Sequence, residues 1–304
     1  MTFDVAVLGS ANLDLVLSVA VLPGAGETVL ASGHERHPGG KGLNQAVASA
    51  RAGAVTAMIG TVGQDDAGRQ LLATMEEAGI DTCAVARVDA PSGTALIVVQ
   101  ATGENTIVVD AGANATMTAL SAEGRSVIER SSVLVMQLEV ALSAVAEAAA
   151  LARSAGSTVV LNASPAQPLD ESLLSLVDVL VVNEHEAVAL TGVADPVEAA
   201  MELTHRVADV VVTLGARGAV HVAGDGRPTR TAGVRADPVD ATGAGDTFVG
   251  FLAAALAGGD PMPLAVRRAV TAGALCVEAA GAVPSIPTRT SVEARLQETS
   301  AAAG

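Results

Sequence analysis

The residues best placed to do chemistry lie in Asp240-Ala241-Thr242-Gly243-Ala244-Gly245-Asp246-Thr247-Phe248. Gly243 and Gly245 punctuate a turn, and the apolar run 248–256 that follows reads as a helix. A helix N-terminus offers unpaired backbone N–H groups and the positive end of the helix dipole, which together hold an anion. The two glycines carry no side chain to keep a phosphate away from those groups. Asp246 falls in the first helical turn. Its carboxylate repels phosphate, but it can take a proton from a hydroxyl that attacks the phosphorus. It can equally do no more than cap the helix, a common task for Asp.

A second stretch, Gly39-Gly40-Lys41-Gly42-Leu43-Asn44-Gln45, lets the backbone approach a ligand closely. Lys41 brings three donors, and Asn44 brings donors and an acceptor. Lys41 is the chain's single lysine, every other basic residue besides histidine being arginine. With Asn12 and Asp14 these side chains form a mixed donor–acceptor set suited to a polyol; a glycine-rich turn with surface polar groups is the plainer alternative. A third stretch, Asn183-Glu184-His185-Glu186, fits either carboxylates that order water around Mg²⁺ or an N-cap with acids at a helix start. The common phosphate motifs are absent. Gly42 follows Lys41 where a P-loop needs Ser or Thr, and Phe248 stands where a dinucleotide fingerprint needs Gly or Ala.

These groups need a scaffold. From about residue 120, strand-like runs at 133–138, 158–162, 177–183 and 210–214 alternate with helical stretches at 141–155, 170–176 and 197–208. The pattern predicts an α/β fold, a doubly wound, mostly parallel sheet flanked by helices. Before it, residues 5–8 read as a buried strand, 43–52 and 67–78 as helices, and 55–61 as a strand. Two hairpins break the pattern: 13–21 with 28–32 around Pro23-Gly24-Ala25-Gly26, and 94–100 with 106–110 around Gly103-Glu104. They read as a small β-sheet lid, its strands inserted at about 13–36 and 94–110 of one domain spanning 1–304. In open α/β sheets ligands sit beyond the C-terminal ends of strands. Asn12, Asp14, Glu139, Asn183, Glu184, Glu186, Thr213 and Gly215 all fall at such ends, which suggests one crevice.

Composition narrows the classes. The 304 residues are half hydrophobic, enough for a large core, and carry a net charge of −16 without a basic patch. Nucleic acid and anionic membranes are therefore poor partners. No long charge-free apolar run predicts a membrane span. No basic leader is visible, and two cysteines at unrelated positions, Cys83 and Cys276, fit buried thiols in a reducing, cytoplasmic compartment. Trp and Tyr are absent and only three Phe occur, which disfavours the stacked grip a nucleobase usually receives.

Taken in order, the Gly9-Ser10-Ala11-Asn12-Leu13-Asp14 and 39–45 segments, the 183–186 segment and the Gly-Ala-Gly-Asp turn ending at Asp246 resemble the ribokinase-like carbohydrate kinases. The resemblance runs from about residue 7 to 287. It implies transfer of the γ-phosphate of ATP to the 5-hydroxyl of D-ribose, with Asp246 as base and Gly243, Ala244 and Gly245 as the anion hole. Asn12, Asp14, Gly40, Lys41, Asn44 and Glu139 would hold the sugar; Asn183, Thr213, Gly215, Gly218 and Gly245 would line the ATP site. Glu186 would organise Mg²⁺ through water. A monovalent cation such as K⁺ would be held by Asp240, Thr242, Cys276, Ala279, Gly281 and Ser285, largely through backbone carbonyls. A homodimer joined through the lids is also implied. Leu43 and Ala241-Thr242-Gly243 depart from patterns common among ribose-specific members, so 2-deoxyribose, fructose or a phosphosugar stay open. Arg36 or Arg87 could clamp a phosphosugar. From another class, a non-catalytic sugar sensor would need a broken base or anion hole, and both are intact.

Overall fold

The computed structural model describes residues 2–100, 102 and 104–301. Gly103, expected in the second hairpin's turn, and the last three residues of the tail lie outside them. Among the described residues, β1 (Phe3–Leu8), β4 (Thr56–Gly63), β5 (Asp81–Val88), β8 (Ser131–Met136), β9 (Thr158–Asn162), β10 (Val179–Asn183), β11 (Asp209–Thr213), β12 (Gly218–Ala223) and β13 (Pro228–Ala232) build one large sheet. Its spatial order is β13-β12-β11-β10-β9-β8-β1-β4-β5. Every pairing from β5 to β11 is parallel, and the β11–β12 and β12–β13 pairings are antiparallel, so β12 alone runs against the rest. Strands such as Val179-Leu180-Val181-Val182 are apolar at consecutive positions because both faces are covered.

Helices α3 (Ala122–Ile128), α4 (Leu142–Ala155), α5 (Glu171–Leu174), α6 (Glu184–Thr191) and α7 (Pro196–Leu203) cover one face. On the other lie α1 (Lys41–Arg51), α2 (Asp66–Glu77), α8 (Ala244–Ala257), α9 (Met262–Cys276), the short α10 (Ala282–Ser285) and α11 (Arg289–Ala301). The expected doubly wound fold is thus present. From β1 the chain builds outward through β4 and β5, then returns to add β8 on β1's other side. The sheet order reverses there, where a crevice opens at the strands' C-terminal ends.

The remaining strands, β2 (Asn12–Val19), β3 (Gly33–Gly39), β6 (Gly93–Gln100) and β7 (Asn105–Asp110), form a separate sheet in the order β3-β2-β6-β7. Two antiparallel hairpins are joined by a parallel β2–β6 pairing. These strands fall within 12–39 and 93–110, and the first hairpin is longer than predicted. Residues 28–32 are not a strand; the return strand is Gly33–Gly39, and Leu30 is 90% exposed with nothing to pack on. The turn cluster at 23–26 sits inside a long connection rather than closing a tight hairpin. Pro38 and Gly39 end β3; Pro38 is tolerated because β3 is an edge strand.

Candidate active site

Three chain segments converge at the switch point: the loop after β1, the N-terminus of α1 and the N-terminus of α8. Close backbone contact makes this possible. A β-carbon on Gly42 would lie 2.6 Å from the carbonyl oxygen of Ser10, and one on Gly250 2.4 Å from Ala48 Cβ. Side chains at these points would hold α1 away from β1 and from α8. Ser49 Oγ also donates to the Gly250 carbonyl at 3.3 Å across the same seam.

Helix α8 starts at Ala244, with Gly243 in the left-handed region (φ 77°) as its N-cap. Asp246 is therefore the third helical residue and not the cap. Its side chain is buried, and both oxygens are engaged from α1. Asn44 Nδ2 donates to Oδ2 at 2.9 Å, and Gln45 Nε2 donates to Oδ1 at 2.9 Å. The Ala244 N–H is used within the turn, reaching the Ala241 carbonyl at 3.3 Å.

The sugar-directed set surrounds the lid's root. Asn12 is buried and its Oδ1 accepts from Asn114 Nδ2 at 2.8 Å. Asn114 in turn accepts from the Ala11 N–H at 3.0 Å. Glu139 Oε2 accepts from Ser10 Oγ at 2.5 Å and from the Lys41 backbone N–H at 3.1 Å. Asp14 stands in β2 opposite His37 in β3. Burial first, then the charges of Glu139 and Asp246, push its carboxyl up to about 7 against the opposing pull of His37. Gly40 joins β3 to α1 at φ 89°. Arg36 and Arg87, the candidate phosphosugar clamp, are both exposed.

On the other side of Asp246 lies a cavity of about 230 Å³ lined by Lys41, Asn183, Glu186, Thr213, Gly243, Gly245 and Asp246, with Asn162, Ser164 and Val181. Asn183 and Thr213 are register neighbours on β10 and β11. Lys41 faces the acids on both sides. Burial acts to depress its ammonium, but Asp246, Glu139 and Glu186 override this and raise it above its usual value. The 183–186 segment makes a capping box: Asn183 Oδ1 accepts from Glu186 N–H, and Glu186 Oε2 from Asn183 N–H, both at 2.8 Å. The capping reading is therefore real, and the buried Glu186 lines the cavity as well. Gly215 and Gly218 flank the 3₁₀ turn Gly215–Arg217 beyond β11 and do not line that cavity. Gly218 has a packing reason of its own, since a β-carbon there would lie 2.0 Å from the Thr231 carbonyl.

The third group also assembles. Asp240 Oδ1 accepts from the Thr242 N–H and hydroxyl at 2.9 and 2.7 Å, and Oδ2 from the Gly281 N–H at 2.8 Å. Burial would raise its carboxyl, but these bonds and the His37 charge hold it below the usual range. Cys276 is fully buried, with its sulfur 3.0 Å from Ser285 Oγ and 3.3 Å from Thr247 Oγ1. Ala279 is exposed beside them. Sequence reasoning gave no role to Ser10, His37, Asn114, Gln137 or Asn162, all of which stand in or beside the site. Gln137 and Asn162 carried one usable signal, as polar residues where apolar strands end.

The residues 2–289 match the family model described as pfkB family carbohydrate kinase. Ribokinase of Haemophilus influenzae is 40% identical over 297 residues, covering 95% of this chain and 97% of the relative. Ribokinase of Bacillus subtilis is 38% identical over 295 residues, covering 96% and 99%. The structure of Arabidopsis thaliana ribokinase complexed with ribose and ATP superposes with a TM-score of 0.92 at 31% identity, covering 98% of this chain and 99% of that one. A match of this extent, on a chain whose buried aspartate stands at a glycine-turned helix N-terminus, means that the protein belongs to the pfkB family of carbohydrate kinases.

Proposed function

We propose that this chain transfers the γ-phosphate of ATP to the 5-hydroxyl of D-ribose, giving ribose 5-phosphate and ADP. The observation that carries the reading is Asp246: a buried carboxylate in the first turn of α8, between a polar basin at the lid and a cavity edged by glycine backbone. The full-length similarity to ribokinases, one of them in complex with ribose and ATP, supports the choice of sugar and donor.

Asn12, Asp14, Gly40, Lys41, Asn44 and Glu139 hold the sugar and aim its hydroxyl at Asp246, which accepts the proton as the phosphorus is attacked. The N-terminus of α8, with Gly243, Ala244 and Gly245, stabilises charge on the transferring group. Asn183, Thr213, Gly215 and Gly218 line the nucleotide's path. The lid excludes water from the reacting atoms. Glu186 fits Mg²⁺, as a buried hard-oxygen donor facing the cavity beside Lys41, and would hold the ion through water. When bound, the ion neutralises charge on the β- and γ-phosphates. Asp240, Thr242, Cys276, Ala279, Gly281 and Ser285 would hold K⁺, a donor set of carboxylate, hydroxyl and backbone oxygens gathered by the Asp240 hydrogen bonds.

Two lids apposed in a homodimer would cover β7, where Ile107, Val108 and Val109 are 53%, 61% and 55% exposed. Of the two cysteines expected to be buried, Cys276 is and Cys83 is not, because its side chain faces solvent from β5; a cytoplasmic location fits two free thiols. The test is ADP release by the purified chain with ribose, 2-deoxyribose, fructose, fructose 6-phosphate and adenosine. Ribose is expected to give the highest kcat/KM. Faster turnover of another sugar reassigns the substrate, and no ADP with any of them removes the kinase reading.

A further inference from the structure

The α1 residue next to Asn44 belongs to a buried chain of amides that no step above uses. Gln45 and Gln137 are 0% exposed, and Asn162 is 7% exposed. Gln137 Nε2 donates to Gln45 Oε1 at 2.6 Å. Gln45 Nε2 spends its hydrogens on Asp246 Oδ1 at 2.9 Å and Asn162 Oδ1 at 3.0 Å. Asn162 Nδ2 donates to the Val181 carbonyl at 3.1 Å. Only one orientation of Gln45 satisfies this chain. Turned over, its oxygen would face two acceptors and its nitrogen would face a donor. At the far end of the chain Gln137 Oε1 packs against Gly9, where a β-carbon would lie 1.9 Å from it, and is itself buried without a hydrogen-bond partner.

Asn44 is different. Its Nδ2 holds Asp246 Oδ2, while its own Oδ1 is buried without a partner. It has an acceptor to offer an incoming group; Gln45 has nothing left to offer.

Building on the kinase reading, we propose that Gln45, locked by Gln137 and Asn162, is a positioning residue that pins Oδ1 of Asp246 and leaves Oδ2 as the oxygen that takes the proton. Asn44 is the group that turns from Asp246 to the sugar. In the transfer, the sugar O–H bond breaks and its proton passes to Oδ2. The oxygen's electron pair forms the new bond to phosphorus, and the bond from phosphorus to ADP breaks, its electron pair leaving on the β-phosphate oxygen.

Three variants test this: Gln45→Leu, Gln137→Met and Asn44→Ala. Losing a hydrogen bond to a charged group should lower kcat of Gln45→Leu by about 10–100-fold. Its sugar KM should stay within about 3-fold of wild type, because binding is untouched. Gln137→Met, which keeps the volume and removes only the lock, should lower kcat by about 3–10-fold with the same KM pattern. Asn44→Ala should change kcat and KM together. In a crystal structure of Gln45→Leu the Asp246 carboxylate should be turned from its wild-type orientation. Wild-type ADP release is read separately. Its absence would sink the kinase reading, and the carboxylate's orientation in the variant would still decide the role of Gln45. Wild-type kcat in Gln45→Leu, a KM rising in step with the loss, or an unmoved Asp246 would each overturn the proposal. If Gln45→Leu does not fold, unchanged kcat in Gln137→Met does the same.

Discussion

Asp246 gathers two amide donors from a helix some two hundred residues earlier in the chain, at 2.9 Å each. A mere helix-capping side chain would be turned to its own N-terminal N–H groups instead. Asp246→Asn keeps the shape and removes the proposed base. It should lower kcat by about 10²–10⁴-fold with a folded protein, measured by coupled ADP release and circular dichroism. Near-normal turnover would take Asp246 out of the chemistry. Asp14 gives a prediction of a different kind. Its carboxyl is raised from 3.8 to about 7 in the fold, so the folded state holds that proton more tightly than the unfolded chain. Its contribution to stability is complete below the unfolded value and is lost as pH rises through 7. The Tm of Asp14→Asn should therefore gain on wild type between pH 4 and pH 8. An equal Tm gap at both pH values would mean that Asp14 titrates normally in the fold.

At the scale of elements, the site depends on two helices brought into backbone contact. Gly250 is the point of closest approach of α8 to α1, with Ala48 Cβ, the Gln45 carbonyl and the Ser49 nitrogen all inside 3 Å of a hypothetical β-carbon. None of these can swing aside as the tip of a long side chain could. Gly250→Ala should destabilise the protein by about 1–3 kcal/mol in urea denaturation, the usual result of overpacking. It should also lower kcat, because the displaced α8 carries Asp246 away from Asn44 and Gln45. A variant as stable and active as wild type would show that the seam yields freely. Gly243 acts in another way, supplying the left-handed turn that starts α8 just before Asp246.

For the whole molecule, the large sheet is covered on both faces by helices, and the lid is not. β7 is an edge strand of the lid and shows three consecutive large apolar side chains to solvent. Exposed apolar edges invite pairing with another chain. If two lids cover one another, Val108→Lys should halve the mass seen by light scattering at micromolar concentration and leave the Asp246 network in place. A wild-type chain that is already a monomer would sink the lid-to-lid dimer. No helix among the described residues is long and apolar enough to cross a membrane.

Local signals made much of this readable from the sequence. Three valines and a leucine in a row at 179–182, in a run too short for a typical helix, fit a strand buried on both faces, and the glycines at 243 and 245 before an apolar run fit a helix N-terminus. Period, turn chemistry and motif order thus determined the α/β class, marked two hairpins outside it and singled out Asp246 as the candidate base. The longer first hairpin was not readable, because Thr28-Val29-Leu30 has strand-like side chains and nothing local shows that Leu30 will stay exposed while the return strand begins at Gly33. The amide chain through Gln137, Gln45 and Asn162 was hidden for a related reason. A hydrogen bond between residues 92 or 117 positions apart leaves no trace in local periodicity, and a glutamine bears no mark of the carboxylate it will hold. Tertiary structure alone decided which polar side chains meet, since that follows from how closely α1, α8 and β1 can pack once their glycines let the backbones touch.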